Sequence, residues 1–342
     1  MPLSTPPSSL FDAHGVPCFG IWQGYGPRAD AHDFEGFRSG RLNRRFTEKR
    51  WQYLGFSHLD HFIGLAVVNV GYLGTGWLYH YDRRRNTLRQ WQRKSLLARD
   101  LTTGDDPCTS PFAFDTPGFS VRITADTANT QRTAVVDVSG PAGRLAGDLV
   151  IRDDGSQALG FLGPQKGGRF NLTYKTAGLP ASGSVQMEGG DRIDLAQDRT
   201  RAHVDWTWGC PPRVTTWNWA ACSGVLPDGR SFGFNFGSGL NEGAFYQNVL
   251  WIDGLLSPLR KVHFHYDPRD IMRPWRLLDD EGRVDLRFDP FGQRGENINV
   301  LVIQSRFKQP FGSYFGKVVG DDGCPVHLDG LGGVAEEHFA RW

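Results

Sequence analysis

Three observations predict an all-β protein built from two packed antiparallel β units, each a barrel or a sandwich. The 342-residue chain carries 43 Gly, 20 Pro, 23 Phe and 11 Trp, and Leu- or Ala-rich helical windows are few, a composition that suits short strands joined by tight turns. Turn signals recur between β-prone stretches: RDDGSQ around Asp154, LPDGRS around Asp228, WIDGLL around Asp253 and DDEGRV around Glu281, each reading as a hairpin. The candidate strands are too many for one small barrel, and closed or paired sheets are the usual way to remove exposed edges.

Taken in order, the N-terminal MPLSTPPSSLFDAHGVPCFG lacks a basic start followed by an apolar run and reads as a Pro/Ser-rich arm. RWQYLGFS (50–57), FIGLAVVNVGY (62–72) and GWLYHYD (76–82) are strands. The longest mostly apolar run, IGLAVVNV (63–70), is too short to cross a bilayer as a helix. RRRNTLRQWQRK (83–94) is the densest basic stretch and reads as a solvated hairpin. FSVRITAD, RTAVVDVSG and GDLVIRD continue the first unit, and the glycine-rich region from 160 to 190, with GPQKGGRF and GLPASGS, is the expected join. The units are therefore expected at 1–190 and 191–342. In the second, SFGFNFG, KVHFHYD, RVDLRFDP and INVLVIQSRF each read as one strand. No amphipathic helix longer than two turns is expected.

Lys and Arg total 38 against 37 for Asp and Glu, with charges mixed along the chain, which argues against nucleic acid or an anionic membrane as partner. Five scattered cysteines with no CxxC pair fit a reduced cytoplasmic setting and no zinc or redox site. GxSxG, HExxH, Walker and GxGxxG elements are absent from convincing contexts, against the common hydrolase, zincin and nucleotide classes. Neither a cofactor nor a metal is expected, and the oligomeric state stays open.

The stretch VDWTWGCPPRVTTWNWAA (204–221) holds four of the 11 tryptophans. Residues two apart in a strand share a face, so Trp206 and Trp208 oppose Asp205 and Thr207, and Trp217 and Trp219 oppose Asn218. Cys210-Pro211-Pro212 breaks the first strand, and the second resumes at about Thr215. The indoles either pack between two sheets or wall a cavity. Asp205 favours the cavity, since its carboxylate is costly to bury unless paired or used. In an indole-walled pocket its pKa would rise and it could act as a general acid. Strand parity requires a bulge, or indoles from a facing strand, to close that pocket.

Other groups carry weaker signals. LNEGAFYQN (240–248) is dense in hydrogen-bonding groups and reads as a polar loop or as the lip of a cavity, with Glu242 a second candidate acid and Asn241 and Tyr246 candidate contacts. His263 and His265 share a strand face, but two imidazoles do not make a metal site. Asp267, Arg269, Asp270 and Arg273 read as an ion-pair network around a turn. In HLDH (58–61), Asp60 orients a histidine or the segment is an exposed turn.

The downstream motifs TTWNWAACSGVLPDGRSFGFNFG, NEGAFYQNVLWIDGLL, HYDPRDIMRPWRL and GRVDLRFDP closely resemble a bacterial family, domain-of-unknown-function family 2804, over nearly the whole chain. More distantly, KRWQYLGFS is similar to the WWYYTGHL-like opening of the AttH and carotenoid hydratase group. DWTWG with TWNWAACSGVLPDGR resembles that group's DHQWG and GWDWFSLQLDDGR. The resemblance implies tandem lipocalin-like barrels whose relatives include isoprenoid hydratases, tocopherol cyclase and fungal Diels–Alder cyclases. Trp206 stands where the group's motif has histidine, which removes one proton carrier and leaves Asp205.

These readings converge on a cofactor-independent hydratase, cyclase or isomerase acting on an apolar, unsaturated, isoprenoid- or lipid-like small molecule. Asp205 and Glu242 are the expected acids. Trp206, Trp208, Trp217, Asn218 and Trp219 would contact the substrate, joined by Trp51, Tyr53, Asn235, Asn241 and Tyr246 from the other motifs. A noncatalytic lipid carrier and a carbohydrate-active β protein are the alternatives.

Overall fold

Strand pairing divides the chain between two antiparallel sheets, one a nearly closed barrel and the other a half-barrel. The computed structural model describes residues 3–30, 34, 40–128, 130–153, 155–190, 192–239, 245–300 and 302–342, and the side chains of all of these except 41–43. Helix among them is limited to Arg41–Thr47, and no helix is long and apolar enough to cross a membrane.

The first sheet runs from Thr87–Leu96 through Leu73–Asp82, His61–Asn69, Lys49–His58 and Arg201–Gly209 to Arg169–Met187. It continues through Gly143–Arg152 and Gln131–Gly140 to the short strand Leu101–Thr103. The second sheet centres on Val214–Val225, Pro325–Arg341, Ile303–Val319 and Val284–Val300. Sheet membership changes between Gly209 and Val214, at the Cys-Pro-Pro break, downstream of the expected boundary at 190/191.

The glycine-rich region is not a linker. It is the 19-residue strand Arg169–Met187, which pairs with Leu159–Gln165 over its first part and with Gly143–Arg152 over its second. Glycine is needed in it for a physical reason. Gly178 has φ +75°, and a Cβ there would lie 2.9 Å from the Phe232 carbonyl carbon, while one on Gly233 would lie 2.4 Å from the Gly178 nitrogen. The two sheets thus meet backbone to backbone, and the Gly178 N–H donates to Ser223 Oγ at 3.0 Å.

The turn signals resolve individually. Asp253 and Gly254, with φ 49° and 78°, close the hairpin of Val249–Ile252 and Leu255–Pro258 with both central residues left-handed, as a two-residue turn requires. LPDGRS and DDEGRV also join paired strands, and the basic stretch turns at 83–86 between Leu73–Asp82 and Thr87–Leu96. RDDGSQ does not form a hairpin: it connects Gly143–Arg152 to Leu159–Gln165, which pair with other strands, and Asp154 itself lies outside the described residues. INVLVIQSRF is not one strand but the turn of a long hairpin, with Val300 opposite Ile303. Its apolar run conceals the reversal, and Val300 and Val302 are exposed.

Each sheet buries one face in its own core. Leu54, Leu65, Leu78, Trp206 and Trp208 belong to the first core, and Phe234, Trp275, Phe288 and Tyr314 to the second. The other faces meet in a third cluster, where Tyr53, Trp77, Tyr79 and Tyr81 pack against Trp219, Phe311 and Val334.

Candidate active site between the two barrels

Strand register assembles the site as two facing rows. Residues directly opposite across an antiparallel pair share a face. In the first sheet Lys175 stands opposite Asp205, Asp205 opposite Tyr53, Tyr53 opposite Ala66, and Ala66 opposite Trp77. In the second, Trp219 stands opposite Glu336 and Trp217 opposite His338, while Gln309 is opposite Arg294 and Phe307 opposite Glu296. All of these side chains line one cavity of about 180 Å³, larger than the ~150 Å³ void that admits a benzene.

Asp205 is buried and fully engaged. Its Oδ2 accepts from the Lys175 ammonium and its Oδ1 from the Thr207 hydroxyl at 2.9 Å. The Lys175 Nζ also lies 5.6 Å from the Trp219 ring centre. This is the paired arrangement that a buried carboxylate requires.

Glu336 is the carboxyl with acid character. Burial pushes it up to about 7, and Asp205 across the cavity adds to the shift. Trp217 Nε1 donating to Oε1 at 2.8 Å and Gln309 Nε2 donating to Oε2 at 2.9 Å oppose it, as does Lys175, without overcoming desolvation,. Tyr79 from the first sheet donates to Gln309 Oε1 at 3.2 Å, so the network spans both sheets. Beside it, His338 is enclosed by the rings of Trp217 and Phe307, with centroids at 4.2 and 5.3 Å. Desolvation, with Arg294 repelling the imidazolium, drives it down to about 3. His338 is a neutral imidazole at neutral pH and hydrogen-bonds Ser305 Oγ at 2.9 Å.

The raised value has a consequence for stability. Relative to its ordinary 4.5, the folded protein holds an extra proton on Glu336 up to about pH 7. Stability conferred by that proton is complete below about 4.5 and is lost as pH rises through 7,. Denaturant melts are expected to show Glu336→Gln gaining on wild type across this window, by on the order of 3 kcal/mol, with a level difference above it. A difference independent of pH would return Glu336 to the ordinary carboxylate range.

With this geometry in place, a family model matches residues 4–342. The chain belongs to the family described as domain of unknown function DUF2804. Among curated proteins none matches. Among solved structures, CghA with Sch210972 is 11% identical, with TM-score 0.57 and 97% of each chain covered. A protein named AttH from Nitrosomonas europaea is 12% identical, with TM-score 0.52, covering 85% of this chain and 92% of its own. At such identities the likeness is one of fold alone.

Within this DUF2804 chain the expected contact residues divide. Trp51, Tyr53, Trp217, Asn218 and Trp219 line the cavity with Asp205. Trp206 and Trp208 point the other way into the first core, where Trp208 packs on Phe11 and Phe170. The indole wall comes from the facing sheet, the second of the two arrangements that parity allowed. Asn235 is buried behind the wall, accepting from Trp219 Nε1 at 2.7 Å and donating to the Gln247 carbonyl at 2.8 Å. Tyr246 is half-buried away from the lining, while its neighbour Gln247 reaches it. Asn241 and Glu242 lie outside the described residues.

The remaining constellations lie away from this cavity. His263 pairs with Asp280 at 2.9 Å, and among the described residues no group of three His, Cys, Asp or Glu could hold a metal. Asp60 pairs with Arg84, while His61 contacts His80 at 3.2 Å. Asp267 meets Arg269 and Arg273 in the expected network. Sequence reasoning passed over Glu336, His338, Lys175, Arg294 and Gln309. One signal was present: in VAEEHFAR the period of two puts Glu336 and His338 on one face and Glu337 on the other.

Proposed function

We propose that this chain is an enzyme that adds water to, cyclises or isomerises an apolar, unsaturated small molecule between its two barrels, with Glu336 as the proton donor. The observation that carries the reading is the position of Glu336. It is a buried carboxyl with a value near 7, set in an aromatic cavity opposite a lysine–aspartate pair. A group poised near the working pH can both give and recover a proton. Asp205, the acid expected from sequence, instead orders the site through Lys175 and Thr207.

In the reaction the protonated Glu336 would deliver its proton to a carbon of the double bond. Its carboxylate, still held by Trp217 and Gln309, would then take a proton from the attacking water or from the product skeleton. The indole faces of Trp217 and Trp219 would position the apolar skeleton and exclude bulk water. The resemblance to the hydratase and cyclase group supports this class of chemistry. The likeness in fold to CghA, whose structure contains Sch210972, supports a small-molecule ligand.

Mass spectrometry of small molecules that copurify with the native chain tests the reading. An apolar unsaturated compound is expected with wild type and not with Val68→Trp, which places an indole in the cavity. Wild type that retains nothing, or a compound retained equally by Val68→Trp, would overturn it.

A further inference from the structure

We infer that the ligand of this cavity carries one carboxylate, and that the Arg294 guanidinium is its seat. The inference rests on the reading that the cavity takes an apolar small molecule, and it narrows which one.

Arg294 is only 4% exposed. Its guanidinium lies over aromatic rings, with Cζ 4.1 Å from the Trp77 ring centre and 5.0 Å from that of Phe307. No hydrogen bond matches that investment in burial. Nη2 is buried without a hydrogen-bond partner, and the carboxylate nearest to it, Glu296, is 4.0 Å away. Buried guanidinium groups ordinarily spend their donors on carboxylates or carbonyls, and an unmet donor costs the full desolvation of its group. Burial lowers Arg294 only to about 10, so it stays a cation at neutral pH. The residue is therefore a preformed, partly unsatisfied cation in the wall of an apolar cavity.

The charges around it leave that cation uncompensated. Lys175 cancels Asp205. Lys94, reaching over from the first sheet, pairs with Glu296. Glu336 is neutral below about 7, and His338 is neutral throughout that range. Arg341 adds an exposed positive charge among the lining residues. The interior thus holds one net positive charge, on a planar fork shaped for a bidentate carboxylate. Trp77 and Phe307, which hold the fork, also supply apolar surface beside it. A ligand with its carboxylate on Arg294 lays its skeleton towards Trp217, Trp219 and Glu336, which face Arg294 along the same sheet.

Isothermal titration of the full chain with a matched pair, trans-cinnamate and trans-cinnamyl alcohol, below neutral pH tests this. Wild type is expected to bind the carboxylate roughly 10- to 100-fold more tightly than the alcohol, the range of a hydrogen bond to a charged group. Arg294→Met should abolish the preference, and Arg294→Lys, which keeps the charge but not the fork, should keep part of it. The wild-type pair alone is decisive even if a variant fails to fold. Equal binding of acid and alcohol by wild type overturns the assignment of Arg294 and leaves the apolar cavity standing. A preference that survives in Arg294→Met moves the anion to Lys175 and overturns it as well. Failure of both compounds to bind overturns this inference together with the small-molecule reading on which it rests.

Discussion

Glu336→Gln is expected to leave ligand binding within a few-fold of wild type and to lower turnover of the copurified ligand by roughly a hundredfold or more, the usual size of a general-acid contribution. Glutamine keeps the shape of glutamic acid, and the hydrogen-bond network can absorb the change. The carboxyl now accepts from both Trp217 Nε1 and Gln309 Nε2, whereas an amide has a single acceptor oxygen. Turning the Gln309 amide over presents its oxygen to the new NH₂ group and its nitrogen to Tyr79, whose hydroxyl can switch from donor to acceptor. The Tyr79 hydrogen then loses its acceptor on Gln309, so ligand binding and the melt of the same variant are the controls that separate a lost proton from a collapsed site. Wild-type activity should fall as pH rises through about 7, a value raised by desolvation and Asp205 and restrained by Trp217, Gln309 and Lys175, while Arg294 and neutral His338 are the other charged or titratable groups lining the cavity beside it. Undiminished turnover by Glu336→Gln would remove it as the acid. Ligand binding with no turnover by wild type would favour the carrier.

How much of this was legible in the sequence depended on whether the information was local. The all-β architecture was, because turn chemistry and β-prone composition act within a few residues: Asp253-Gly254 closes its hairpin with both residues left-handed, as the Asp-Gly pair demands. Strand parity was legible too, and it correctly set Asp205 on the face opposite Trp206 and Trp208. What failed was register between strands far apart in sequence, which no local pattern encodes. Lys175 meets Asp205 across 30 residues and Trp217 meets Glu336 across 119. Lys175 was further hidden because its strand is rich in glycine, a composition shared by linkers and by places where two backbones touch. Here it was the second, at Gly178 and Gly233. The reversal between Val300 and Ile303 was missed for the opposite reason, since the apolar run in the sequence mimics the interior of a strand.

The largest stability effect is expected at the Lys175–Asp205 pair. Both groups are buried, at 5% and 7% exposure, so removing one partner abandons a charge in a medium that solvates it poorly. Lys175→Met should cost about 3–5 kcal/mol in denaturant melts, the range for breaking a buried pair. Asp205→Asn should cost a comparable amount, because it strands the ammonium while keeping an acceptor for Thr207. The double variant Lys175→Met/Asp205→Asn separates a broken pair from a mere loss of contacts. With no charge left to strand, it should recover to within about 1–2 kcal/mol of wild type, as apolar replacement of buried ion pairs does elsewhere. If the single costs simply add in the double variant, the pair contributes by packing and not by charge. Recovery of stability without recovery of ligand turnover would then locate the purpose of the pair in ordering the cavity opposite Glu336. There Asp205 raises the acid more than Lys175 lowers it, so with both charges gone the pH at which any residual activity is lost should move downward, and an upward move would show that Lys175 acts on Glu336 more strongly than Asp205 does.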